Sequence, residues 1–176
     1  MNAYINRRID LFVDFVVESL DIDICSVMLS DDLTGNLRVT SARGLDDKVV
    51  KTTSIRPGDQ IAGWVALEGK PLLISDIETD SRFLKKNVPQ YNSHSLMSLP
   101  LKIDGRVIGV LNLNNKKSSE PFSQQDYDRA LALIDSFSDH LRHAYAKQLS
   151  EAEIIQLMAS LDSNTYTPFA TRWPPK

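Results

Sequence analysis

The segment from Ile55 to Leu113 decides the fold. Residues 55–83 read IRPGDQIAGWVALEGKPLLISDIETDSRF, and residues 95–113 read SLMSLPLKIDGRVIGVLNL. Glycine and proline separate short apolar runs throughout, which is typical of turns between short elements. The pattern predicts a helix over 60–68, a buried strand over 72–74 and two later strands joined by a hairpin. Asp104-Gly105 is the hairpin signal, because both central residues of a type I′ turn need positive φ.

The flanking regions complete an α+β pattern. Apolar residues spaced by three or four predict an amphipathic helix over residues 3–20. Two runs, 25–30 and 37–42, predict a β-hairpin. At the other end, Ser123 is a predicted N-cap supported by Asp126, and the helix that follows has apolar spacing as far as about Leu161.

The glycine, proline and polar positions of the central segment resemble the signature of GAF domains, the small sensory modules of signalling proteins. The matching residues are Gly58, Gly63, Trp64, Val65, Pro71, Asp76, Asp80, Arg82, Phe83, Ser95, Pro100, Leu101, Gly105, Gly109, Val110 and Leu111. The resemblance spans roughly Asp21 to Tyr145. It implies a PAS-related α+β fold: a six-stranded antiparallel sheet with the N- and C-terminal helices on one face. Short helices and loops, from Ile61 to Asn92, would cover the other face and close a pocket.

This resemblance and the helix pattern together predict the domain organisation. We expect an N-terminal amphipathic helix over 1–20, the GAF domain over 21–145, a helical extension for dimerisation or signalling over 146–162, and a flexible tail over 163–176. The last helix is longer than a small domain needs, and an apolar stripe without a partner usually pairs with another copy. We therefore expect a homodimer through the N-terminal helix and the last helix. The contact residues predicted on the last helix are Phe137, Leu141, Tyr145 and Leu149.

Composition narrows the class of function. The formal net charge of -3 argues against a nucleic-acid partner held by bulk electrostatics. No apolar run approaches the roughly 20 residues that span a bilayer, so no membrane segment is expected. A lone cysteine, Cys25, cannot form an internal disulfide, which favours a reducing cytoplasm.

The inventory of nucleophiles and bases is poor, so we expect no catalytic residues and no enzyme. Cys25 lies in an apolar strand, which indicates a buried, inert thiol. The GAF branch that reduces free methionine sulfoxide needs several cysteines, and this chain has one. Another branch attaches a bilin through a pocket cysteine, often beside a histidine. In this chain the residue before His94 is Ser93, so a bilin cannot be attached there. His140 and His143 could form a metal pair, but no third ligand is evident, so no metal site is expected.

If the domain closes a pocket, the sheet is its floor and the 61–92 segment its lid. Aromatic side chains would supply apolar area there, and polar ones would orient a small molecule by hydrogen bonds. The predicted ligand-binding residues are Trp64, Phe83, Tyr91, His94, Ser95, Met97, Val110 and Asn112. Trp64 and Phe83 could equally be core residues, and His94 could cap a strand. The sequence identifies no cofactor.

One motif has two interpretations. Cyclic-nucleotide-binding GAF domains carry Asn-Lys, then Phe, then Asp-Glu after three residues. This chain has Asn115-Lys116, Phe122 and Asp126, with Tyr127 in place of the glutamate. The motif also predicts a structural ion pair between Lys116 and Asp126 that ties the last strand to the last helix.

The leading hypothesis is a cytoplasmic regulatory domain that binds a small molecule and transmits the signal through its terminal helices to an output module. That module would lie in a longer chain or a separate protein. The alternative is a ligand-free GAF module for dimerisation or protein interaction. A redox or hydrolytic enzyme is the weakest hypothesis.

Overall fold

The computed structural model of the chain describes residues 3–83 and 94–162, with the side chains of the last helix described as far as Ala144. It contains four helices and six strands in these ranges. In chain order they are α1 (Ala3–Leu20), β1 (Ile22–Ser30), β2 (Leu37–Arg43), α2 (Asp47–Thr52), β3 (Ser54–Ile55), α3 (Gln60–Glu68), β4 (Leu72–Ile74), β5 (Leu96–Ile103), β6 (Arg106–Lys116) and α4 (Gln124–Asp162).

The strands form one sheet in the order β3-β2-β1-β6-β5-β4. All neighbouring pairs are antiparallel. The predicted α+β class and the six-stranded antiparallel sheet are confirmed. The predicted hairpin between β5 and β6 is also confirmed, because Asp104 and Gly105 both have positive φ, at 49° and 77°.

A β-bulge in β2 changes which side of the sheet its residues face. Val27 pairs with Ser41 and Met28 pairs with Val39, so Thr40 is an extra residue in β2. Val39 therefore packs with Met28 on the side of the sheet that α3 covers, the α3 side. Ser41 faces the opposite side, the α1 side, where its hydroxyl donates to the Asp10 carboxylate of α1 at 2.6 Å.

Helices α1 and α4 pack together on the α1 side. The rings of Phe12 and Phe137 stack with centroids 3.9 Å apart and planes 2° from parallel. The other buried positions of this layer recur at helical spacing on both helices. They are Ile5, Ile9, Val13, Val16, Leu20, Ala130, Ile134 and Leu141.

This packing corrects the predicted dimer contact on α4. Phe137 is 7% exposed and Leu141 is fully buried within the protomer, so neither can face a second copy. At Phe137 and Leu141 the apolar spacing belongs to the intramolecular core, and sequence periodicity cannot distinguish such a core from an intermolecular contact. The side chains of Tyr145 and Leu149 lie outside the described residues.

A close backbone approach positions α3. A Cβ atom at Gly63 would collide with the carbonyl oxygen of Arg56, so only glycine allows the helix to lie this near residues 55–58. The predicted helix over 60–68 is confirmed, and it ends at Glu68 because Gly69 adopts the left-handed conformation and its N–H donates to the carbonyl of Val65.

The chain divides into two compact units, and α4 continues from the first into the second. The first unit ends at Arg142, and the second begins at His143. Within the second unit the described part is helical as far as Asp162. None of the helices described is both long enough and apolar enough to cross a membrane.

Candidate ligand-binding face

The apolar part of the α3 side lies between α3 and the sheet. Ala62 and Val65 of α3 pack with Val110 of β6 in a buried cluster. The remaining buried members of this cluster are Met28, Leu37, Ile55 and Leu72. Trp64 and Phe83 are half-buried against it, and their rings meet edge to face with centroids 6.2 Å apart. The structure therefore brings together three of the predicted residues, Trp64, Phe83 and Val110.

A row of polar side chains crosses the sheet beside this cluster. Asn112 of β6 pairs with Ser98 of β5 on one side and with Ser26 of β1 on the other. The Ser98 hydroxyl donates to the Asn112 carbonyl oxygen at 2.8 Å, and the Asn112 amide donates to Ser26 Oγ at 3.5 Å. Asn112 lies two positions after Val110, so both side chains project from the α3 side. Ser98 and Ser26 are buried, whereas Asn112 is half-buried.

This row gives the α3 side a polar centre beside the apolar cluster that Trp64 and Phe83 pack against. An amide has one acceptor and two donor hydrogens, so Asn112 keeps hydrogen-bonding capacity beyond its two serine contacts. Aromatic side chains with a few convergent polar groups are typical of small-molecule sites.

The predicted residues Met97 and Ser95 are not part of this arrangement. Met97 is adjacent to Ser98 in β5, so strand alternation places it on the α1 side, where it is fully buried. Ser95 is also buried, and it connects three segments of backbone. Its hydroxyl donates to the carbonyl of Ile74 at 3.0 Å and accepts from the N–H of Phe122 at 2.9 Å. That role is structural.

His94 lies two residues before β5, and its side chain is 53% exposed. Its Nδ1 is 3.6 Å from the Asp76 carboxylate, and its Nε2 is 3.7 Å from the Glu78 carboxylate. The backbone N–H of Ile77 donates to the His94 carbonyl, which joins the 76–83 turns to β5. Tyr91 lies outside the described residues.

The acidic neighbours of His94 do not form a metal centre. Over residues 3–83 and 94–162, no group of three or more His, Cys, Asp or Glu side chains is arranged to hold a metal ion. His140 instead forms a hydrogen bond with Arg8 of α1. Arg82 and Asp80 form an ion pair, with 2.5 Å between Arg82 Nη2 and Asp80 Oδ2. The hydrogen bond from the Arg82 guanidinium lowers the pKa of Asp80.

Sequence reasoning missed Ser26 and Ser98. Each lies in a strand that is apolar on both sides, so the residues do not alternate between polar and apolar. Without alternation, the sequence does not show which residues face which side of the sheet. Their pairing with Asn112 across two strands was the missing information.

The motif at the end of β6 forms the predicted structural tie. Lys116 Nζ lies 2.7 Å from Asp126 Oδ2, and Asp126 also accepts hydrogen bonds from the N–H and the hydroxyl of Ser123. Burial by itself raises the pKa of Asp126, but the contacts with Lys116 and Ser123 outweigh it and lower the pKa. The Ser123–Asp126 capping box is therefore confirmed.

Cys25 is fully buried in β1, as the sequence indicated. Burial raises the pKa of the thiol far above its ordinary value, and only part of this is offset by the charge of Arg43. The thiolate, which is the reactive form, is therefore disfavoured.

Comparison with known proteins establishes the class. The family model described as "GAF domain" matches residues 5–145, so this chain belongs to the GAF domain family. It is 30% identical over 137 residues to the dual 3′,5′-cyclic-AMP and -GMP phosphodiesterase 11A of Takifugu rubripes, covering 70% of this chain and 15% of that protein. It is 24% identical over 133 residues to the Nif-specific regulatory protein of Azospirillum lipoferum, covering 71% of this chain and 21% of that protein.

The fold comparison agrees. The GAF domain of a phosphoenolpyruvate-protein phosphotransferase from Coxiella burnetii superposes with a TM-score of 0.68 at 22% identity, covering 82% of this chain and 86% of that one. At this identity the likeness shows the fold alone. The chain spans about a fifth or less of the two curated relatives, which are far longer proteins.

Proposed function

We propose that this GAF domain is a cytoplasmic regulatory module that binds a small molecule on the α3 side of its sheet. The observation that carries the proposal is the row Ser26–Asn112–Ser98. Three polar side chains meet at the centre of a sheet, beside the apolar cluster against which the half-buried Trp64 and Phe83 pack. A sheet that served only as a core would pack better with apolar residues there, because burying polar groups costs free energy.

The chemistry of this face favours a planar or partly apolar ligand. Trp64 and Phe83 offer aromatic area, and Asn112 can both donate and accept a hydrogen bond. No cationic side chain is part of the row or of the cluster beside it, so a polyphosphate is a poor match among the described residues. The site proposed here keeps Trp64, Phe83, Val110 and Asn112, and adds Ser26 and Ser98.

The terminal helices would carry the signal. Binding under α3 would favour one arrangement of sheet and helices over another, and such differential affinity is what any ligand-driven switch requires. We propose that residues 21–145 form the sensing domain, that 146–162 lead to an output module in a longer chain or a separate protein, and that the module is a homodimer. The part proposed as a tail, 163–176, lies outside the described residues.

Native mass spectrometry of the chain purified from its own cell extract tests the proposal, because it reports bound mass and subunit number together. We expect a small-molecule adduct on the wild-type chain. Asn112→Leu should lose it, since leucine keeps the volume but removes the amide. Ser41→Ala is the matched control for Ser98→Ala, because Ser41 is also buried but faces α1. If the Asn112→Leu and Ser98→Ala variants both keep the adduct, the proposed binding site is wrong.

A second measurement uses the fluorescence of Trp64 in a Trp173→Phe background, which leaves one tryptophan. Cyclic AMP and cyclic GMP are the first ligands to titrate, because a relative is a phosphodiesterase that acts on both. Absence of any adduct and of any fluorescence change would favour the ligand-free dimerisation module instead.

A further inference from the structure

The outer surface of α1 exposes large apolar side chains. Tyr4, Leu11 and Phe15 are 45%, 54% and 55% exposed, and their spacing places them on one side of the helix. Beside them an open groove of about 240 Å³ runs between α1 and α4. The groove is lined by Arg8, Leu11, Phe12, Phe15, Phe137 and His140. Large exposed apolar groups in one patch usually mark an interaction surface.

The charges along this surface are separated at Leu11. Arg7 and Arg8 precede it, and the exposed Glu18 follows it on the same side of the helix. The other two acidic side chains of α1 contact β2. The Asp10 carboxylate accepts a hydrogen bond from the Ser41 hydroxyl, and Asp14 Oδ1 lies 2.5 Å from Arg43 Nε. The outward-facing stripe is thus basic at one end, apolar in the middle and acidic at the other end.

Such a stripe is complementary to itself when reversed. A two-fold axis at Leu11 places residues equally far before and after it opposite each other. Arg7 then faces Phe15 of the second copy, where a guanidinium can lie on an aromatic ring. Glu18 faces Tyr4 of the second copy, and the guanidinium of Arg8 contacts the ring and the hydroxyl of that tyrosine. A parallel pair would instead oppose Arg7 with Arg7 and Glu18 with Glu18, and like charges in contact are unfavourable.

We propose that the outer α1 stripe, formed by Tyr4, Arg7, Leu11, Phe15 and Glu18, binds the same stripe of a second copy in antiparallel orientation, with the two-fold axis at Leu11. The occupant is a second copy because the charge order fits its own reverse. This rests on the homodimer of the proposed function and assigns its contact surface to α1, in place of the α4 residues that lie in the core.

Sedimentation velocity of the full chain tests the surface. Leu11→Glu buries a charge at the proposed axis and should raise the dissociation constant at least about tenfold. Leu33→Glu is the matched control, because Leu33 is 96% exposed and lies in the turn after β1. The dissociation constant of this variant's dimer should equal that of the wild type. Equal unfolding midpoints of the two variants at dilution would show that both fold. A Leu11→Glu chain that dimerises like the wild type would overturn the assignment to α1.

Disulfide trapping tests the orientation, and the buried Cys25 should not interfere. Tyr4 and Glu18 are equally far from Leu11, so a mixture of Tyr4→Cys and Glu18→Cys chains should form the mixed disulfide on mild oxidation. Each variant alone should form little. Self-disulfides of each variant alone would overturn the antiparallel orientation while leaving a dimer. A wild-type chain that stays monomeric at all concentrations would overturn the dimer itself, whereas ligand binding is judged separately by its adduct.

Discussion

Lys116 Nζ lies 2.7 Å from Asp126 Oδ2 and joins the end of β6 to the first turn of α4. The side chains are only 21% and 18% exposed, so solvent screens this ion pair less than it screens a surface pair. Asp126 also closes the capping box with Ser123. Its role in this chain is therefore to hold α4 at the sheet, and no ligand is needed to satisfy the motif.

Replacement of Asp126 should lower the stability of the fold by an amount that depends on pH. Asp126→Asn should lower the free energy of unfolding by about 1–2 kcal/mol at neutral pH, because it removes the ion pair and weakens the cap. The pKa of Asp126 is lowered in the folded chain. Its contribution is thus complete above the ordinary aspartate pKa of about 3.9 and is lost as the pH falls through the lowered value.

Urea unfolding of wild type and variant at neutral and strongly acidic pH would measure this. The difference in unfolding free energy should shrink in acid. Asp128→Asn is the control, since Asp128 is exposed and accepts a hydrogen bond from the Gln124 side chain of the same helix. A difference in unfolding free energy that is the same at neutral and at strongly acidic pH would contradict the structural role of the Asp126 carboxylate.

Leu141 should behave as a core residue. Leu141→Ala should lower the free energy of unfolding by about 2–5 kcal/mol, because Leu141 is fully buried and its truncation leaves a cavity. Leu67→Ala, at a leucine that is 63% exposed, should change it by no more than about 0.5 kcal/mol. Chemical denaturation at high dilution provides the comparison. Similar small losses in both variants would show that Leu141 is not packed in the protomer.

Cys25 should resist thiol reagents in the folded chain. It is fully buried, and burial raises the pKa of the thiol, so little thiolate is available at neutral pH. Labelling with a chromogenic disulfide should be slow in buffer and immediate in denaturant. Cys25→Ala should leave any ligand adduct unchanged. Rapid labelling of the folded chain would contradict the burial of this strand.

Gly63 should be required for the position of α3. Gly63→Ala forces its Cβ against the Arg56 carbonyl, and such overpacking costs about 1–3 kcal/mol. It should also shift the emission of the neighbouring Trp64, measured in the Trp173→Phe background. Gly35→Ala is the control: Gly35 has a φ of 71° and no atom within 4 Å of an added Cβ, so its strain stays in the turn. Unchanged Trp64 emission in Gly63→Ala would contradict the close approach.

The candidate site was predicted only in part. Trp64, Phe83, Val110 and Asn112 were identified from the resemblance, and the structure places all of them on the α3 side. Met97 was wrongly grouped with them because β5 is apolar on both sides of the sheet. Ser98 was missed for the same reason, since adjacent residues of a strand face opposite sides.

The sequence by itself determined the local elements. The bounds of α1 and α3, the Asp104-Gly105 turn and the Ser123 cap follow from side-chain period, glycine conformation and short-range hydrogen bonds, which depend on neighbours in the chain. Tertiary structure alone decided which face each residue reaches. The bulge at Thr40 switches the side of the sheet that the residues of β2 face. Phe137 of α4 packs against Phe12 of α1. These outcomes depend on register and packing between distant segments, which the period of one segment does not encode.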